Sequence, residues 1–237
     1  MRKDFIVLMS VLLIACGSKN QANEGDGCNE AKGKTEVVNE VSPMRPTINV
    51  YNMGGVPAKD INDLVVALQK VYPETKYAGE LALVDSARIK NDTKGQNRYW
   101  WSKLLSHLKK TTDVRKGMTL VVVNAEVCTW TKKGSHANLG MSNVGGHVST
   151  ISYQRLKVNR LNNINSMMKV AIHELGHSVA RLVAEREDLE YHCPNATCLM
   201  KDADNSFPYR GLTGFCPSCS KKMQAKGFNL DKLQLHK

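Results

Sequence analysis

At 237 residues the chain is long enough for one sizeable domain or two small ones. Apolar residues at 42% allow a real core, and aromatics at only 6% argue for an aliphatic α/β core over an aromatic-rich β-sandwich. The formal net charge is +11, but the lysines are scattered apart from short pairs such as Lys109-Lys110, Lys132-Lys133 and Lys221-Lys222, which describes a solvated basic surface and excludes a nucleic-acid partner from the expectations.

The N-terminus has the pattern of an export signal. Arg2 and Lys3 precede an apolar run from Phe5 to Ala15 broken only by Ser10. That run is shorter than the roughly 20 residues a permanent membrane helix needs. It ends in Leu13-Ile14-Ala15-Cys16-Gly17, which resembles the lipobox of bacterial lipoproteins. In that family the cysteine becomes the mature N-terminus and carries acyl chains, so Cys16 is the expected lipidation site and the lipid a stable membrane anchor. The alternative is an ordinary cleaved signal with a chance cysteine. Residues 17–45 lack hydrophobic periodicity and read as a flexible tether that contains Cys28. The expected organisation is a signal peptide over 1–16, a tether over 17–45 and one domain over 46–237. The product would be an exported bacterial lipoprotein of the outer membrane, periplasm or cell surface, and a monomer.

Within the domain, Thr47 to Tyr51 reads as a short strand. Ile61, Leu64, Val65 and Leu68 recur at helical spacing and predict a helix over Asp60 to Val71. Leu81 to Val84 is the next strand expectation. Trp101, Leu104, Leu105 and Leu108 predict a helix over Arg98 to Leu108. Met118 to Val123 is apolar except for Thr119, the pattern of a central buried strand. Asn138 to Gly146 is glycine-rich and leads into a strand over His147 to Tyr153. Ile164 to Ala184 has the clearest helical pattern of the chain. After Tyr191, cysteine, proline and glycine dominate, as in a loop-rich subdomain held by a staple. Strands alternating with helices give an α/β fold with a twisted, mostly parallel sheet.

The last helix carries His173-Glu174-Leu175-Gly176-His177. Two histidines four residues apart stack on one helix face and can close on one zinc ion at about 2.0–2.1 Å each. Glu174 is poorly placed to bind that ion and well placed beside a zinc-activated water, as a general base. The pattern arises by chance in some chains, but here Ile164, Met168, Ile172, Leu175, Val179 and Leu182 form a stripe that packs the helix on a core. The tail adds His192-Cys193-Pro194-Asn195-Ala196-Thr197-Cys198-Leu199-Met200 and then Cys216-Pro217-Ser218-Cys219. With these residues the chain resembles the archaemetzincins, whose pattern is HExxHxxGxxHC, four residues, CxM, a spacer and CxxC. The resemblance implies that His192 is the third catalytic zinc ligand and Met200 the Met-turn residue. It also implies that Cys193, Cys198, Cys216 and Cys219 hold a second, structural zinc; two close cysteine pairs suit such a closed site.

One departure stands out. Ala180 occupies the family's helix-stopping glycine position and Val183 its third-histidine position, so His192 comes nine residues late. A helix that ends before Glu187 leaves enough chain for His192 to return; a longer one does not. Glu185, Glu190 and Asp204 are the substitutes in the second case. Outside the cytoplasm, Cys193–Cys198 and Cys216–Cys219 disulfides are the alternative to a second zinc. Cys128 reads as a buried or free thiol. His136 and His147 read as structural, and Trp100 and Trp101 as helix packing. Tyr209 could sit near the zinc, although no spacing requires it. The Asn138–Gly146 segment is either an edge that pairs with extended substrate or a loop with no role. The leading function is a zinc-dependent peptidase acting on peptide or protein substrates. The alternative is a weakly active or inactive zinc-dependent peptide-binding lipoprotein of the same fold.

Overall fold

The computed structural model describes residues 46–90, 97–114, 117–131, 134–144, 146–180, 192–202 and 211–236. Cys16, Cys28, the signal and the tether fall outside these residues, as do Glu185, Glu190, Asp204 and Tyr209. No described helix is long and apolar enough to cross a membrane.

Strand β1 (Thr47–Met53) alternates its side chains between two cores. Ile48 and Val50 enter one core, and Met53 enters the other. Helix α1 (Ala58–Val71) follows and buries Ile61, Leu64, Val65, Leu68 and Val71, the stripe expected from their spacing. Strand β2 (Thr75–Leu81) then pairs parallel with β1. The apolar run predicts this strand at Leu81–Val84, too far along the chain. The true strand lies at the sheet edge with Lys76, Tyr77 and Glu80 exposed, so it has no apolar alternation to read.

The predicted helix start at Arg98 is also corrected. Residues Arg98–Trp100 form strand β3, and helix α2 spans Trp101–Thr111. Tyr99 sits opposite Val127 in a parallel pairing, which holds this stretch extended. Trp100 packs its ring against Trp130 with centroids 5.6 Å apart, and Trp101 packs on the second core, so both serve packing. Strand β4 (Gly117–Val123) is buried at every residue and lies in the middle of its sheet, as its apolar run requires. A hairpin of β5 (Glu126–Thr131) and β6 (Gly134–Asn138) comes next. Its polar outer half gives no strand signal in the sequence. Cys128 on β5 is buried and outside any disulfide.

Strands β7 (Gly140–Asn143) and β8 (Val148–Ser152) complete the five-stranded sheet in the order β2-β1-β4-β8-β7. The first four strands in that order run parallel, and β7 runs antiparallel to β8 at the edge. The strand expected over His147–Tyr153 is shorter at both ends. His147 takes a left-handed φ of 62°, which breaks extended pairing, and Tyr153 opens the short helix α3 (Tyr153–Val158). A second sheet, β3-β5-β6, is tied to α3 through buried Glu126, which lies 3.2 Å from Arg98 and 3.7 Å from Arg155.

Helix α4 (Ile164–Ser178) lies across one face of the main sheet. Asn163 caps it by accepting a 2.9 Å hydrogen bond from the Ser166 N–H. Met168, Ile172 and Leu175 meet Leu64 and Leu68 of α1 and Ile48, Leu120, Val122 and Ile151 of the sheet. The opposite face packs Val121, Val123 and Val148 against Leu104 and Leu108 of α2. The helix predicted to reach Ala184 stops at Ser178. Its C-cap, Val179, keeps right-handed angles (φ −97°, ψ −56°), so this end carries no left-handed glycine. Helix α5 (Pro217–Ala225) belongs to the tail. Met223 and Phe228 are buried in the α1–α4 core, and the Phe228 ring lies 4.8 Å from that of Tyr72. Two such burials contribute about 1.5–3 kcal/mol each, so the staple is not the tail's only attachment.

Candidate metal centre

α4 runs with every residue from Met167 to Ser178 buried, which puts His173 and His177 inside the protein one helical turn apart. Their Nε2 atoms face each other at 3.0 Å. His192 comes back to the same point. One ring nitrogen from each of His173, His177 and His192 lies within 4.8 Å of the others. The His192 ring stacks on that of His173 (5.3 Å) and stands edge-on to that of His177 (5.0 Å). Neither His136 nor His147 joins either of the two ligand groups found among the described residues.

The chemistry of this donor set fits a zinc ion. His173 Nδ1–H donates to the Leu199 carbonyl at 2.6 Å, which fixes the tautomer and leaves Nε2 as a lone-pair donor. Burial, reinforced by the neighbouring His177, holds His173 well below the usual imidazole range, and therefore in the neutral, ligating form. Nitrogens bound to one tetrahedral zinc at about 2.0–2.1 Å sit about 3.3 Å apart, close to the spacing of the two Nε2 atoms. His192 is about one-third exposed, so one side of the cluster opens to solvent; its Nδ1 is 3.9 Å from Asp202, beyond hydrogen-bond length.

Glu174 is buried beside this cluster and turns toward the sheet edge. Ser142 on β7 donates to its Oε2 at 2.5 Å. Burial, partly offset by the Ser142 hydrogen bond, pushes the carboxyl up to about 8. Gly140, two residues earlier on β7, leaves the space that the carboxylate occupies.

The second cluster is equally compact. The sulfurs of Cys193, Cys198, Cys216 and Cys219 all lie within 4.8 Å of one another, and no described cysteine is in a disulfide. Cys193 Sγ and Cys216 Sγ are 3.7 Å apart. Cys198 Sγ accepts the backbone N–H of Met200 at 3.4 Å and of Cys216 at 3.3 Å. The Cys219 thiol and these amides bring Cys198 down to about 5, while the thiolate beside it and burial push Cys219 up. A thiolate cradled by amides among three further sulfurs is the donor set of a closed tetrahedral zinc site. Met200, two residues after Cys198, is fully buried, and its carbonyl accepts the Cys193 N–H at 2.7 Å. The segment Leu199–Met200 therefore holds His173 with one carbonyl and the residue after His192 with the next.

Sequence reasoning did not find Leu199, Ser149 or Ser178 as parts of the site, and it weighed Gly140 and Ser142 only within a candidate substrate edge, not as contacts of Glu174. Leu199 acts through a backbone carbonyl, which no side-chain pattern announces. Gly140 and Ser142 share one strand face, a period-2 relation that becomes visible only once β7 is recognised as a strand.

No protein-family model matches the chain, and no curated protein matches its sequence. Solved structures do match. The archaemetzincin of Methanopyrus kandleri superposes with a TM-score of 0.57 at 19% identity, covering 78% of this chain and 98% of its own. The archaemetzincin of Archaeoglobus fulgidus, solved with malonate, gives 0.51 at 20% identity, covering 74% and 99%. With parallel strands β2, β1, β4 and β8, the antiparallel edge β7 and helix α4 packed on them, the chain has a fold similar to that of the archaemetzincins.

Proposed function

We propose that this chain is a zinc-dependent peptidase with Glu174 as its general base. The observation that carries the reading is the convergence of His173, His177 and His192 on one point next to a buried glutamate. The nine-residue delay of His192, which favoured an inactive binding protein, does not keep its ring from the other two.

Zinc held by the three histidines supplies Lewis acidity, both to the scissile carbonyl and to the attacking water. The chain's own residues do the rest. Glu174 takes a proton from the water at a carboxylate oxygen and gives it to the leaving amine nitrogen. β7 is the edge of its sheet, so an extended peptide can add to it as a further strand. Because Gly140 and Ser142 of that strand touch Glu174, a peptide laid along β7 passes close to the base. The four cysteines hold a structural zinc that keeps the His192–Met200 segment folded against α4.

His192→Ala tests the ligand set. The expected result is loss of one of two zinc equivalents and a fall in peptidase activity to background. Unchanged zinc and activity would remove His192 from the site. The leader supports export and acylation at Cys16. Cys16→Ser is then expected to abolish labelling by radioactive palmitate in a bacterial host, and undiminished labelling contradicts that assignment.

A further inference from the structure

We infer that Ser142 is a positioning residue for Glu174, so that the edge strand β7 holds the general base as well as offering a docking edge. The inference rests on the peptidase reading above. A glutamate side chain has three rotatable bonds, and proton transfer needs its oxygen placed to within a fraction of an ångström. Helix α4 fixes the Glu174 backbone, but the carboxylate takes its position from β7.

Two residues on one face of that strand do this in different ways. Gly140 makes room: a Cβ there would fall 2.5 Å from Glu174 Oε1 and 2.6 Å from its Cγ. The carboxylate therefore lies directly against the strand backbone, where any side chain would displace it. Ser142 supplies the hydrogen bond. Its Oγ lies 2.5 Å from Glu174 Oε2 and 2.8 Å from the Glu174 backbone carbonyl. A hydroxyl has one proton, so it cannot donate to both. Ser149 on β8, directly opposite Ser142 in the pairing, resolves the competition. Its Oγ is 3.1 Å from the same carbonyl and 3.1 Å from Ser142 Oγ, and it also reaches Ser178 Oγ at 2.8 Å. With the Ser178 hydroxyl donating to Ser149 Oγ and the Ser149 hydroxyl donating to the helix carbonyl, each proton serves one contact. That frees the Ser142 proton for the carboxylate, where a charge-assisted bond is stronger.

The test uses the zinc-loaded protein with a peptide substrate. Ser142→Ala is expected to keep both zinc ions, to lower kcat roughly 10- to 100-fold and to leave KM within about twofold. Ser142→Thr, which retains the hydroxyl, is expected to recover most of the lost kcat. An unchanged kcat in Ser142→Ala, or a loss explained by KM or by missing zinc, overturns the inference. A second readout needs no turnover. Thermal unfolding of Ser142→Ala, Glu174→Ala and the double variant is expected to show non-additive shifts in Tm, because each single change removes the contact between the two side chains. Additive shifts overturn the inference. If the wild type cleaves no peptide, the peptidase reading falls by itself, and the unfolding cycle still decides whether Ser142 holds Glu174.

Discussion

Glu174→Gln is expected to lower kcat by about 10²- to 10⁴-fold, the usual worth of a positioned general base, and to leave zinc content unchanged. Glutamine has nearly the same shape, and its amide oxygen can still accept the Ser142 hydrogen bond. What it loses is the capacity to take a proton. The site gives that capacity its value. Burial, partly offset by the Ser142 bond, pushes the carboxyl up to about 8, and a cation held by the three histidines would bring it back toward the charged form that can take a proton. Because Glu174 turns to β7, its removal takes no donor from the His173, His177 and His192 group. Kinetics and metal analysis on one preparation check both halves. A variant with full kcat would strip Glu174 of its role; a variant without zinc would make it a ligand.

Cys198→Ser is expected to have the second large effect. Structural zinc sites contribute on the order of 10 kcal/mol to the folding of small zinc domains at neutral pH. Cys198 is the most enclosed of the four sulfurs and receives two backbone N–H donors. Losing that zinc loosens the turn whose Leu199 carbonyl holds His173 and whose Met200 carbonyl holds the N–H of Cys193, next to His192. The expected outcome is zinc falling from two equivalents to below one, a Tm lower by about 10 °C or more, and lost activity. Cys128→Ser serves as the control, since Cys128 lies on β5 outside the cluster and its variant is expected to keep both ions. Two full equivalents of zinc in Cys198→Ser would contradict a four-sulfur site.

The parts of the fold legible in the sequence are those whose burial leaves a periodic trace. α1 carries its core stripe at helical spacing, α4 does so at Met168, Ile172 and Leu175 although Ile164 of the expected stripe is exposed, and β4, buried on both faces, is an apolar run broken only by Thr119. The metal donors were legible for a different reason: His173 and His177 stand one turn apart on a helix, while His192 and the four cysteines were named through the resemblance to the archaemetzincins, with the close cysteine pairs adding support. The failures are physical too. β2 lies at a solvated edge, and the β5–β6 hairpin exposes its outer half, so neither repeats an apolar pattern. The end of α4 was misplaced because its C-cap, Val179, keeps right-handed backbone angles, so no left-handed glycine marks the end as a signal. The Ser142–Glu174 contact depends on the register of β7 against β8, which sets Ser142 opposite Ser149; local composition does not encode it.

Anomalous diffraction at the zinc edge from crystals of the full domain tests the central claim most directly. Two peaks per chain are expected, one bound by His173, His177 and His192 beside Glu174, the other by Cys193, Cys198, Cys216 and Cys219. A histidine cluster without a peak, or a first peak that His192 does not touch, would contradict it.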